Sequence, residues 1–378
     1  MARIRLGMVG GGNDAFIGGV HRIAARLDDR FELVAGALSS TPEKSAESAK
    51  ALGLARSYAN FDEMAEAESA RENGIEAVSI VTPNHVHFAA AKAFLSKGIH
   101  VICGKPLTST MDDAHALQSV VNDSEALFIL THNYTAYPMI RQAQSMVASG
   151  SLGAIRIVQA EYPQDWLTSS LENEGLKQAE WRTDPTRSGA GGSVGDIGTH
   201  AHNLACFVTG LSVEKLAADL QCWGSGRSLD DNAHVLLRFN NGARGMLWSS
   251  QVAPGNENGL KLRVYGESGG LEWAQEDPNY LWFTPHGEPK RLITRNGAGA
   301  NDASTSVSRI PGGHPEGYLE GFATIYNDAA NAIRAVQSGA QRSDVMGQLP
   351  GIEAGIDGMR FIDACVKSSN KNAVWTVL

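Results

Sequence analysis

Asp196, His200 and Asn203 fall at i, i+4 and i+7 within Gly195-Asp196-Ile197-Gly198-Thr199-His200-Ala201-His202-Asn203. On a helix these three share one face, beside an apolar stripe of Ile197, Ala201, Leu204 and Val208. A carboxylate one turn before an imidazole can hold it in one tautomer and stabilise its protonated form, which suits a general base. The same spacing also occurs on ordinary solvent-facing helices, so the reason to read chemistry into it must come from the rest of the chain. Lys105 supplies a second group. It follows the apolar run His100-Val101-Ile102-Cys103 and precedes Pro106, whose ring fixes the turn. An ammonium so placed can stabilise an alkoxide as it forms. His202 points away from His200 on a helix, and the four cysteines (Cys103, Cys206, Cys222 and Cys365) show no CxxC spacing, so no metal site is expected.

The elements ahead of Lys105 alternate between strand and helix. Ile4 to Val9 reads as a strand and runs into Gly10-Gly11-Gly12, followed by a helical pattern to about Asp28. Gly10 and Gly12 match the first two glycines of a dinucleotide fingerprint. Ala15 is the third, or Gly18 if the loop is longer, and Asn13, Phe16 and Ile17 complete the turn. Strands follow at Phe31 to Leu38, Ala77 to Val81, His100 to Cys103 and Ala126 to Leu130, with helices at Pro42 to Leu54, His85 to Ser96 and Thr110 to Val121. Such alternation implies a parallel sheet wrapped on both faces, with ligands at the strand carboxyl ends. Those ends carry Gly12, Ser39, Thr82-Pro83-Asn84, Gly104-Lys105-Pro106 and Asn133. Residues 1–133 are therefore expected to be a Rossmann dinucleotide-binding domain. After the second strand an acidic residue would bind a ribose 2′-hydroxyl. Here Ser39, Ser40 and Lys44 stand instead, which leans toward NADP and leaves NAD open.

Residues 134–378 read differently. A helix at Met139 to Ala148 and a strand from Ile155 precede the Gly-rich approach to Asp196, and antiparallel signals come next. His234 to Phe239 and Ala243 to Ser249 flank an Asn240-Asn241-Gly242 hairpin turn, and shorter strands follow to Thr294. An open, mainly antiparallel sheet is expected, with the Asp196 helix on one face and a partner copy on the other. Asn296 to Gly313 is rich in Gly, Ser, Ala and Asn and is read as either a disordered loop or a lid. Two long helices, Tyr318 to Val336 and Gly351 to Lys367, close this second, substrate-binding domain.

Composition narrows the function further. The 378 residues carry a net charge of −9 without long like-charge blocks, which excludes an electrostatic nucleic-acid surface. No apolar run is long enough to span a bilayer and no signal-peptide pattern opens the chain, so a cytoplasmic protein is expected, its cysteines acting as small buried hydrophobes.

With both halves in view, the chain resembles the Gfo/Idh/MocA family of nicotinamide-dependent sugar and cyclitol oxidoreductases over nearly its whole length. The resemblance is carried by the N-terminal Gly-rich turn, Thr82-Pro83-Asn84 followed by His87, Gly104-Lys105-Pro106, Trp181-Arg182, and Gly195-Asp196-Ile197-Gly198-Thr199-His200. It implies a Rossmann domain followed by an α+β domain whose open sheet forms dimers or tetramers. It implies catalytic roles for Lys105, Asp196 and His200. Cofactor contacts are expected at Thr82, Pro83, Asn84, His87, Gly104, Pro106, Asn133, Trp181 and Arg182. Tyr134, Asp165, Trp166, Asn203 and His314 are the polar and aromatic candidates for a polyol substrate. Gly104 stands where the family usually has Glu, and Asn203 where it often has Asp. The expected reaction is reversible hydride transfer between a C–OH carbon and the nicotinamide. Glycoside cleavage through transient oxidation, and a nucleotide-sensing regulator without catalysis, are the alternatives.

Overall fold

The computed structural model describes residues 2–13 and 15–378; Met1 and Asp14, the latter within the Gly-rich turn, lie outside the described residues. The chain forms two compact units, the first of residues up to Asn133 together with Tyr318–Ile356, the second of Tyr134–Gly317 and Asp357–Leu378.

The first unit holds a six-stranded sheet of β1 (Ile4–Gly10), β2 (Phe31–Ala37), β3 (Arg56–Ser57), β4 (Ala77–Val81), β5 (His100–Cys103) and β6 (Phe128–Leu130), in the order β3-β2-β1-β4-β5-β6. Every neighbouring pair is parallel. This is the doubly wound arrangement, with its reversal of strand order between β1 and β4. β4 is buried along its whole length, as a strand covered on both faces must be.

Tyr318–Gln337 was expected in the second domain and instead folds with the first unit. Its apolar stripe of Phe322, Ile325, Tyr326, Ala329 and Ile333 is fully buried, and the helix packs on the Phe16–Leu27 helix. Tyr326 Oη lies 2.8 Å from both His21 Nδ1 and Ser79 Oγ, joining this helix to the helix after β1 and to β4. Farther along, Pro350 O accepts the Leu130 N–H of β6 at 2.8 Å. The periodic pattern specifies a helix; which sheet it covers depends on these long-range contacts.

The second unit is built on β7 (Ile155–Pro163), β8 (Val213–Gln221), β9 (Asn232–Phe239), β10 (Arg244–Ser250), β11 (Lys261–Gly266), β12 (Gly269–Ala274), β13 (Tyr280–Pro285), β14 (Arg291–Thr294) and β15 (Thr376–Val377), ordered β14-β13-β12-β11-β7-β10-β9-β8-β15. All pairs are antiparallel except β7 with β10. The Thr199–Thr209 helix lies on β7, β10 and β11, and the Pro138–Ala148 helix lies on β12 and β13. The opposite face is open: Leu236, Met246, Gln159, Arg263, Glu272, Trp282 and Leu292 are successive cross-strand partners in one row, and Leu236, Met246, Trp282 and Leu292 are exposed.

Residues 296–317 are neither loose nor open. Arg295 and Glu316 form a buried pair at 3.1 Å, and the Arg295 guanidinium also bonds the carbonyls of Ile310, Pro311 and His314. A guanidinium with so many acceptors clasps the loop shut on itself. Cys222 is exposed, unlike the other cysteines, because it sits on the turn after β8. No helix among the described residues is long and apolar enough to cross a membrane.

Candidate active site

The Gly-rich turn after β1 is built for close backbone approach. Gly10 and Gly11 have φ of +74° and +68°, the left-handed region that favours glycine. A Cβ on Gly18 would stand 2.4 Å from Gly11 O and 2.5 Å from Gly11 Cα. Gly18 is thus the glycine on which the Phe16–Leu27 helix packs against the turn, and Ala15 is the N-cap residue. Ala15 offers no side-chain acceptor to the first helical N–H groups, and no acidic residue lies in the first turn. Such a helix start accepts a pyrophosphate. Elsewhere in the same unit, Thr82 Oγ1 and Asn133 Nδ2 are buried without a hydrogen-bond partner. Both lie at the carboxyl ends of parallel strands, β4 and β6. Orphaned polar atoms there, with the glycine cradle, fit a dinucleotide. Ser39, Ser40 and Lys44 lie just beyond β2; Ser40 and Lys44 are exposed, and Ser39 Oγ accepts the Thr41 N–H at 3.3 Å.

Lys105 is half-buried, and its peptide bond to Pro106 is cis. His87 braces this loop. Its Nδ1 lies 2.9 Å from Pro106 O and its Nε2 3.0 Å from Thr82 O, and burial lowers its pKa. His87, expected as a cofactor contact, is a strut inside the protein between the ends of β4 and β5. A Cβ on Gly104 would meet nothing closer than Ile80 O at 3.5 Å, so space does not forbid a larger residue there.

In the second unit, Asp196 and His200 do not begin on a regular helix. Val194–Gly198 is a π-helical turn that feeds the Thr199–Thr209 α-helix, which ends at Gly210 in the left-handed conformation. Single π turns inside helices recur at functional sites. The helix start is held by Asp230, which sequence reasoning missed. Its carboxylate accepts the N–H groups of Gly192 and Val194 at 2.7 and 2.8 Å, and its carbonyl accepts that of Ser193 at 2.7 Å. Burial raises the Asp230 pKa to about 6. A Cβ on Gly192 would stand 2.0 Å from Asp230 O, which explains the glycine.

Asp196 Oδ2 accepts from Arg182 Nε and from Gln251 Nε2, each at 3.0 Å. The Arg182 guanidinium lies 4.2 Å from the Trp181 ring centroid and 6.0 Å from that of Trp166, which places both indoles beside the carboxylate's partner. His200 is buried, its ring edge-on to Tyr134 with centroids 4.8 Å apart. Tyr134 Oη lies 2.5 Å from Tyr162 Oη, which in turn bonds Asn258 Oδ1 at 2.8 Å. Burial raises the Tyr134 pKa, with a further push from the Asp196 charge. The structure thus brings together Asp196, His200, Tyr134, Trp166, Trp181 and Arg182, and adds Gln251, Tyr162 and Asn258. Asn203 is half-buried on the same helix and makes no side-chain hydrogen bond among the described residues. Asp165 accepts the Gly255 N–H at 3.0 Å. His314 is exposed in the Arg295-clasped loop. His202 stacks on Phe361 at 4.4 Å in the core. No sequence signal marks Gln251 or Asn258; the Asp230-Asp231 doublet just before an apolar strand is the one hint of the helix anchor.

Residues 4–134 match the model for an oxidoreductase family with an NAD-binding Rossmann fold, and residues 140–272 match the GFO/IDH/MocA C-terminal domain. The chain is 34% identical to the uncharacterized oxidoreductase YfiI of Bacillus subtilis, over 98% of this chain and 96% of that one. Among solved structures, an oxidoreductase from Sinorhizobium meliloti is 61% identical with a TM-score of 0.89, covering 99% of both chains. An inositol dehydrogenase homolog from Azotobacter vinelandii, complexed with NADH and myo-inositol, is 34% identical with a TM-score of 0.92, covering 100% of this chain and 98% of that one. The glycine cradle, the Lys105 loop and the anchored Asp196–His200 helix are therefore parts of an enzyme, and the chain belongs to the GFO/IDH/MocA family of NAD-binding oxidoreductases.

Proposed function

We propose that the protein is a dehydrogenase of polyols, acting on a CH–OH group of a sugar, sugar derivative or cyclitol with NAD or NADP. The observation that carries this reading is the cluster of buried His200 and Tyr134 with half-buried Asp196 and Arg182, flanked by Trp166 and Trp181. Hydroxyl donors and acceptors with an aromatic wall suit a ring that is polar at its rim and apolar on its faces. The structure with myo-inositol from Azotobacter vinelandii supports the same substrate class.

When bound, the nicotinamide exchanges a hydride with the substrate carbon. The alcohol proton must leave as the C–H bond breaks, and His200 takes it, since an imidazole titrates near neutral pH. Lys105 stabilises the developing alkoxide charge. Asp196, its own charge balanced by Arg182, accepts a hydrogen bond from a substrate hydroxyl or orients His200. The residues that would hold the dinucleotide are the Gly10–Gly12 turn, the start of the Phe16–Leu27 helix, Thr82 and Asn133. Without a carboxylate after β2, Ser39, Ser40 and Lys44 leave room for a 2′-phosphate as well as a plain ribose. The exposed row Leu236, Met246, Trp282 and Leu292 favours a homodimer or homotetramer through the open sheet face. The test is a panel of inositols, aldoses, sugar acids and anhydrosugars with NAD and NADP, followed by nicotinamide absorbance. Turnover of at least one polyol, lost in both Lys105→Ala and His200→Ala, is the expected result. Full turnover in either variant overturns the assignment.

A further inference from the structure

Gln251 follows β10 and is only 2% exposed. Three of its groups are committed to three different segments. Its N–H donates to Asp231 O at 2.8 Å, its carbonyl accepts the Leu167 N–H at 2.9 Å, and its Nε2 donates to Asp196 Oδ2 at 3.0 Å. Arg182 Nε reaches the same carboxylate oxygen from another direction. One donor leaves a carboxylate free to swing about its χ2 torsion; two donors on a single oxygen fix its plane. The second donor is a neutral amide, so Arg182, Gln251 and Asp196 together carry no net charge. Asp231, which holds the Gln251 backbone, is itself anchored: its carboxylate accepts the N–H groups of Trp223 and Gly224 and pairs with buried Arg227 at 3.3 Å.

We propose that Gln251 is a positioning residue for the reaction, acting through Asp196: its amide holds the carboxylate in the one orientation that receives a substrate hydroxyl. The Leu167 bond ties the same residue to Trp166, so the carboxylate and the aromatic wall are set in register by one side chain and its own backbone. This inference rests on the polyol dehydrogenase reading above.

The test is a double-mutant cycle on the full-length protein with the best polyol of the panel. Gln251→Met keeps volume and removes the donor. Its kcat/KM is expected to fall roughly tenfold to a hundredfold, the range for losing one hydrogen bond to a charged group. The dinucleotide Kd should stay within about twofold, since neither Gln251 nor Asp196 is among the residues assigned to the dinucleotide. In an Asp196→Ala background, Gln251→Met should cost nothing more in polyol Kd, measured by calorimetry with the dinucleotide present. Gln251→Glu, nearly isosteric, is the second variant should Gln251→Met misfold, and it should lose at least as much activity by setting a carboxylate against Asp196. Unchanged kcat/KM, or losses that simply add in the Asp196→Ala background, overturn the proposal. Wild-type protein that turns over no polyol overturns the functional reading itself, and this inference with it.

Discussion

His21 offers a sharp test of how the first unit is assembled. It is 1% exposed, its Nδ1 bonds Tyr326 Oη and its ring packs on Phe322 at 4.9 Å. Burial, reinforced by the Arg22 charge, pulls its pKa from 6.5 to about 3. The folded-state pKa is depressed, so the neutral ring contributes stability that is present above the unfolded pKa. That contribution is lost as pH falls toward the folded value, because the unfolded chain binds a proton the folded one refuses. One such proton is worth about 1.4 kcal/mol per pH unit inside this window, so His21 alone should remove about 3 kcal/mol between about pH 7 and pH 4. His100 and His202, each lowered to about 4 by burial, titrate in the same direction. They cancel when wild type is compared with His21→Phe, which keeps an aromatic ring and leaves the Ser79–Tyr326 bond in place. Urea denaturation of both proteins across this range is the assay. His21→Phe should be less stable at neutral pH and should close that gap on acidification. If both proteins lose stability in parallel from neutral to acid pH, His21 is not held neutral by the Tyr318–Gln337 helix and the reasoning fails.

Other substitutions probe other joints. Gly18→Ala drives a Cβ into the Gly11 backbone and should cost about 1–3 kcal/mol. It should also weaken NAD binding, and unchanged Kd and thermal midpoint would count against the cradle. Gly104→Ala meets no close neighbour and should be tolerated, changing stability by less than about 1 kcal/mol in urea. Arg227→Met removes the cation from half-buried Glu172 and buried Asp231, the latter keeping its backbone N–H donors, and should cost about 2–4 kcal/mol in urea denaturation. A loss below about 1 kcal/mol would mean that this knot does not hold the segment carrying Trp166.

Where the sequence spoke clearly, a local pattern and a global demand coincided. β4 and β5 are short apolar runs because both faces are covered, and the turns after them carry Thr82 and Lys105 for the same topological reason. β3 was missed because two residues pairing with Ala35 and Gly36 leave no periodicity to detect. β8, with Leu216, Ala217 and Ala218 in succession, has helix-forming composition, and its strand state is imposed by pairing with β9. The apolar stripe from Phe322 to Ile333 reveals a helix but not the sheet it covers. Asp196 and His200 were legible as a pair, whereas their supports were not. The π turn depends on Asp230, 34 residues beyond Asp196, and the carboxylate's second donor comes from Gln251, 55 residues on. Contacts of that separation leave no trace in spacing.

The single parallel pairing in the second sheet has a consequence for how this enzyme can change. Because β10 runs alongside β7 in the same direction, the segments that leave the two strands emerge together. They stay laced past the last rung: Gln164 N–H to Ser250 O, Leu167 N–H to Gln251 O, and Ala253 N–H to Gln164 O. An antiparallel hairpin would have sent these exits to opposite ends of the sheet. An insertion or exchange after β7 therefore displaces the residues after β10, and neither loop can be swapped alone. Engineering of a new specificity, or its natural divergence, must treat residues 164–167 and 250–253 as one cassette.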